Sequence, residues 1–181
     1  MGCALALIGA SPSGHPAAAV DTARSTMTIF VYKEGIFAFA ADNHEVNAPI
    51  ASGSFDDATK TVCIKVDARK MQVQDPPSRR DKVQANMIGP SVLDVSKYPE
   101  ITFHSTRIDT TNPGQWTVHG DLALHGQTHP VVFQVMRKDA GHFAGSAMIR
   151  QTTFGITPIK IAGGTVRVKD DVKVVFDIVL K

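Results

Sequence analysis

From Arg24 onward, apolar residues recur at every second position along most of the chain, the period of a half-buried strand and not of a helix. Thr26 to Tyr32, rich in β-branched and aromatic residues, predicts a first strand, and Ile36 to Ala40 a second after the turn-like Glu34-Gly35. Val46 to Phe55 predicts a third, with Gly53 as a candidate bulge. Thr61 to Asp67 alternates cleanly, with Val62, Ile64 and Val66 on one face and Cys63 on the polar one. Five further strands are predicted over Glu100 to Arg107, Gln115 to His125, Val131 to Met136, His142 to Arg150 and Val172 to Leu180. Turn signals at Asn112-Pro113-Gly114, Gly126-Gln127, Asp139-Ala140-Gly141 and Gly163-Gly164 separate them. Only Ser78 to Met87 reads as a helix, opened by Pro76-Pro77 and ended near Gly89-Pro90.

Eight or nine short strands at regular spacing with one helix describe an all-β sandwich or barrel. Closing the sheet removes exposed strand edges, and about eight strands leave an interior wide enough for side chains or for one small ligand. An inner wall built from Phe30, Phe37, Phe39, Phe103, Leu122, Val131 and Phe133 fits a filled core and a lipophilic pocket equally well. Both need alternate apolar side chains pointing inward.

Composition narrows the class. The chain of 181 residues is 43% hydrophobic and 20% charged, the balance of one folded domain with a sizeable core. A net charge of +2, with Lys and Arg mostly scattered, argues against a nucleic-acid partner. No run approaches the roughly 20 apolar residues a membrane-crossing helix needs. Met1 to Val20 is Ala-rich, with an apolar run at Ala4 to Ile8 and small residues at Ala17 to Ala19. We read it as the remnant of a signal peptide or a disordered leader, which leaves residues 21–181 as the domain and predicts a periplasmic or secreted protein. Cys3 and Cys63 fall in the leader and in a strand, a poor arrangement for a disulfide.

Candidate chemistry is sparse. His119 and His125 share a face but stand six residues apart, roughly 20 Å along a strand, too far to share a metal. His125 and His129 flank a turn without a third ligand at fixed spacing, so no metal and no cofactor is expected. In Asp42-Asn43-His44-Glu45 a histidine between carboxylates suits a general base or a ligand, although Asp and Asn also favour turns for backbone reasons. The chain has no nucleophile elbow, P-loop or dinucleotide fingerprint, so no catalytic residue is assigned. Arg79 and Arg80, with Asp81 and Lys82, make either a basic rim or a solvated helix face.

Two longer strings are more specific. Leu93-Asp94-Val95-Ser96-Lys97-Tyr98-Pro99-Glu100-Ile101-Thr102-Phe103-His104-Ser105-Thr106 and Gly120-Asp121-Leu122-Ala123-Leu124-His125-Gly126-Gln127-Thr128-His129-Pro130-Val131 closely resemble the hallmark segments of the YceI-like family. Ile149-Arg150 with Phe154-Gly155-Ile156 resembles its third, so the likeness runs from about Asp21 to Lys181. The resemblance implies an antiparallel, lipocalin-like, eight-stranded barrel with one short helix near its opening. It also implies an exported protein and, as in some members, an enclosed polyisoprenoid chain; we therefore expect a non-catalytic holder of an isoprenoid or other long-chain lipid, with a homodimer allowed. Phe30, Phe37, Phe39, Phe103, Leu122 and Phe133 are then candidates for the tail, and Arg79 or Arg80 for the polar head. The rival readings are a metal-dependent or stress-related enzyme using Asp42, His44 and Glu45, with or without His129, and a filled-barrel interaction module.

Overall fold

Every strand pairing is antiparallel, some made by tight hairpins such as those at Asn112-Pro113-Gly114 and His125-Gly126 and others by segments far apart in the chain. The computed structural model of the chain describes residues 17–35, 43–161 and 166–181. In chain order the strands are β1 (Ala18–Ala19), β2 (Thr26–Val31), β3 (Lys33–Gly35), β4 (His44–Asn47), β5 (Ile50–Asp56), β6 (Thr61–Asp67) and β7 (Gln72–Val73). After the helix α1 (Pro77–Ile88) come β8 (Glu100–Asn112), β9 (Gln115–Leu124), β10 (Gln127–Asp139), β11 (His142–Arg150), β12 (Lys160–Ile161), β13 (Val166–Val168) and β14 (Asp171–Val179). The predicted strand Ile36 to Ala40, with Phe37 and Phe39, lies outside the described residues, as do Asp42, Gly163, Gly164 and most of the leader.

The main sheet runs β1-β5-β6-β8-β9-β10-β11-β14-β2-β4-β7, and its pairings reduce to eight strands in a ring. β1 and β2 are halves of one strand along β14: Val20 bridges Leu180, and Thr26 to Phe30 pair with Lys173 to Asp177. Between the halves, the Ser25 hydroxyl accepts the Val179 N–H at 2.9 Å and so fills the gap in the ladder. Their other edge pairs with β5 and β4, halves of a second strand, and those pair with β6 and β7, halves of a third. β8, β9, β10, β11 and β14 complete the ring. The fold is therefore an antiparallel barrel of the lipocalin-like kind.

More strands are found than the eight or nine expected, because three strands are interrupted. The predicted Val46 to Phe55 breaks at Ala48-Pro49, where proline has no N–H for the ladder and the Ala48 N–H turns to the Met27 carbonyl at 2.9 Å. The bulge on β5 falls between Ile50 and Ser52, not at Gly53. β12, β13 and β3 form a separate three-stranded sheet that continues the line of β2 and β14 past the rim.

The three hallmark strings meet at that rim. Asp94, in the left-handed region at φ 44°, has a side chain only 7% exposed, which accepts the Ser96 hydroxyl and the Lys97 ammonium, each at 2.9 Å. Those two bonds hold its carboxyl below the usual carboxylate range. The turn between β9 and β10 places His125 and Gly126 at φ 51° and 74°, the signature of a two-residue hairpin. Tyr98 packs edge-on against His125 with ring centroids 4.9 Å apart, and His125 Nδ1–H donates to the Phe154 carbonyl at 3.1 Å. Phe154 is fully buried, its ring against that of His129.

α1 lies across this end. Pro77 starts it, where a missing N–H costs nothing, and no residue in it is fully buried. Val83 and Met87 rest on the apolar cluster around Val46, Val73, Leu93 and Ile156. The opposite end carries a second cluster built on Phe55, Trp116 and Phe143.

Candidate functional site

Inward-facing side chains do not fill the barrel. They line a cavity of about 260 Å³ that reaches from Met87, Leu93 and Ile156 at the helix end to Trp116 and Phe143 at the other. On β9 its wall runs from Leu124 to Trp116, eight residue steps or roughly 26 Å of strand. Among the described residues, Ser54 and Gln151 are the only polar ones on the lining, and none is charged. The Gln151 amide is already committed to the Lys169 carbonyl at 2.8 Å. Such a surface offers a ligand apolar contact and almost no hydrogen bond, which suits a hydrocarbon chain.

Aromatic rings stand at two levels. At the closed end Phe55, Trp116 and Phe143 are in mutual contact, with centroids 5.3 to 5.9 Å apart. Midway along the wall Phe133 touches Phe103 at 5.3 Å and Phe176 at 5.6 Å.

Of the residues expected inside, Phe103, Leu122 and Phe133 line this cavity. Phe30 is on the other face of β2: Met27, Ile29 and Val31 line the cavity, so alternation turns Phe30 outward, between Glu45 and Lys173 on the flanking strands. Phe37 and Phe39 lie outside the described residues. Arg79 and Arg80 part company. Arg79 Nε–H donates to Asp75 at 3.1 Å, whereas Arg80 meets its exposed neighbour Asp81 at 3.5 Å.

Asp75 was not among the sequence candidates. Its side chain is 3% exposed and also accepts the His44 Nδ1–H at 2.6 Å. His44 sits opposite Val31 on the same face of β4 as Val46, both of which line the cavity, so the His44–Asp75–Arg79 group is at the cavity's helix end. Glu45 points away and is exposed. β11, β14 and β2 stand between the strands of His44 and His129, and the two are not gathered into one site. On the outer wall Cys63 is opposite His104, and His104 is opposite Asp121. Among the described residues no group of three His, Cys, Asp or Glu could hold a metal ion. Outside the barrel, Val132, Met136 and Met148 are each more than half exposed but are interleaved with Gln134 and Ser146.

Comparison with known proteins follows the same lines. The pattern of the YceI-like domain matches residues 19–180. A UPF0312 protein of Vibrio cholerae is 34% identical over 108 residues, 55% of this chain and 54% of that protein. One of Pseudomonas putida is 39% identical over 71 residues, 39% of this chain and 35% of that protein. The chain thus aligns with about half the length or less of these curated relatives. Among solved structures, Burkholderia cenocepacia BcnA superposes with a TM-score of 0.65 at 19% identity, over 90% of this chain and 99% of that one. A polyisoprenoid binding domain from Saccharophagus degradans gives 0.64 at 13% identity, over 92% and 99%. These two likenesses are likenesses of fold.

Proposed function

The chain belongs to the YceI-like family, and from that premise we propose that it binds an amphiphilic, isoprenoid-like lipid without covalent attachment and carries it in the periplasm or outside the cell. The observation that carries the reading is the apolar cavity inside the barrel, with no charged group on its lining among the described residues. Burial of apolar surface stabilises at about 25 cal/mol per Å², so a long tail is held there without polar recognition. The family likeness and the polyisoprenoid binding domain among the structural neighbours support the same ligand class.

In this reading the tail lies along the barrel axis, against Phe103, Leu122 and Phe133. The head stays at the helix end, within reach of Arg79 and His44, whose shared partner Asp75 fixes both donors. The protein acts by sequestering its ligand from water and not by transforming it. Native mass spectrometry of gently purified protein tests this: a lipid mass that survives transfer and is lost on organic extraction is expected. Repeated recovery without any adduct, together with failure to take up an added prenyl alcohol, would sink it.

A further inference from the structure

The inward-facing series on β10 changes character at the closed end. Val131, Phe133 and Val135 line the cavity, and the next residue of that face, Arg137, does not. Arg137 is the register partner of Phe143, and its guanidinium stands 5.4 Å from the centre of the Trp116 ring. Lys60, in the turn before β6, brings its ammonium to 5.7 Å from the same ring and 5.9 Å from that of Phe55. Both cations are tied down among exposed groups, Lys60 to the Asp57 carboxylate and Arg137 Nε–H to the Asp139 carbonyl at 3.1 Å. The apolar interior therefore gives way to charge across a single ring, that of Trp116.

Phe55, Trp116 and Phe143 are all buried, all line the cavity and all touch one another, so each ring is braced by the other two. A hydrocarbon tip that reaches them has apolar contact up to this level. To go further it must part the three rings and displace a cation from an aromatic face, which returns nothing for the added length. We propose that the Phe55–Trp116–Phe143 triangle is the floor on which the ligand's tail ends: the tip meets Trp116, the head stays at the helix end, and the span between them sets the longest chain that gains affinity. The proposal rests on the lipid-binding reading above and adds an orientation and a length limit to it.

Trp116 is the chain's one tryptophan, so its fluorescence reports on this level alone. The test titrates straight-chain fatty acids of about 8 to about 22 carbons into the full chain by displacement of a fluorescent apolar probe; each buried methylene should tighten binding about fourfold until the curve levels. At the levelling length, a fatty acid carrying bromine, a contact quencher, on its terminal carbon should quench Trp116, and one carrying it beside the carboxylate should not. Phe143→Ala and the better-tolerated Phe143→Leu deepen the floor and should move the levelling point to longer chains, by at least about two methylenes for the alanine, while Met148→Ala on the outer wall leaves it in place. A terminal bromine that quenches no more than the carboxylate-side one, a series that climbs without levelling, or a levelling point unmoved in the folded Phe143 variants overturns the floor and leaves the binding reading intact. No binding at any length overturns the binding reading itself.

Discussion

The side-chain carbonyl of Gln84 accepts the backbone N–H of Val73 at 2.8 Å, while its amide N–H donates to the Met71 carbonyl at 2.9 Å. A single residue of α1 therefore acts as the missing neighbour of β7, the last fragment in the sheet order, whose other edge pairs with β4. Since no residue of α1 is fully buried, these two bonds join the contacts of Val83 and Met87 and the Arg79–Asp75 pair in seating the helix over the cavity. Replacing Gln84 by Ala should cost about 1–2 kcal/mol, the net worth of two partly buried hydrogen bonds. Amide hydrogen exchange gives the sharper reading: Val73 should lose at least tenfold protection while Val118, in the middle of the sheet, keeps its own. Unchanged exchange at Val73 would mean that something other than Gln84 holds this edge.

Asp75 makes a second prediction. Its buried carboxylate is the common acceptor of His44 and Arg79, so Asp75→Ala leaves two donors without it, whereas His44→Ala leaves the carboxylate still bonded to Arg79. Arg79 is 38% exposed and can turn to water, which reduces the loss below that of a fully buried pair. We expect about 1–3 kcal/mol for Asp75→Ala and less for His44→Ala, measured by urea unfolding. The reverse order would show that His44 is held by contacts other than this carboxylate.

Much of the barrel was legible because a wall with one oily face must alternate, as β6 does throughout and β9 does apart from Gly120 and Ala123. Phe30 was misplaced because Ile29, Phe30 and Val31 are all apolar, so composition fits either face; only the pairing with β4 and β14 assigns them. Asp75 stayed hidden for another reason. It lies 31 residues beyond His44, in the turn before Pro76-Pro77, and no spacing rule reaches across a strand pair and a turn. The three hallmark strings were visible as strings. Their purpose was not, since Tyr98, His125 and Phe154 meet only when the barrel closes.

Acid should weaken the turn that follows β6. The Arg69 guanidinium bonded to Asp67 holds its carboxyl down to about 2, and the Arg69 backbone N–H adds to the effect. A carboxylate whose folded pKa is below its unfolded value of about 3.9 lends stability above that value and loses it as pH falls through the folded one. The window for Asp67 therefore opens near pH 4 and closes near pH 2. Asp67→Asn should lower the Tm at neutral pH, with a deficit that shrinks on acidification until the two curves meet near pH 2. Parallel curves down to that pH would mean that Asp67 has the same pKa in both states.

Two hairpin glycines separate backbone strain from crowding. Gly114 and Gly126 both stand in the left-handed region, at φ 75° and 74°. A Cβ on Gly114 meets nothing nearer than the Arg137 carbonyl at 3.9 Å, so Gly114→Ala carries the conformational penalty alone, roughly 1 kcal/mol. A Cβ on Gly126 would overlap the Tyr98 ring, and that ring is not at liberty to move, because it packs on His125, which is itself bonded to the Phe154 carbonyl. Gly126→Ala should therefore cost clearly more, about 2–4 kcal/mol once overpacking is added. Truncating the ring should remove the excess, so Tyr98→Ala with Gly126→Ala should be less destabilised than the sum of the single changes. Chemical denaturation of the four-protein cycle measures this directly, and strict additivity would separate the Tyr98 ring from the conservation of shape at this turn.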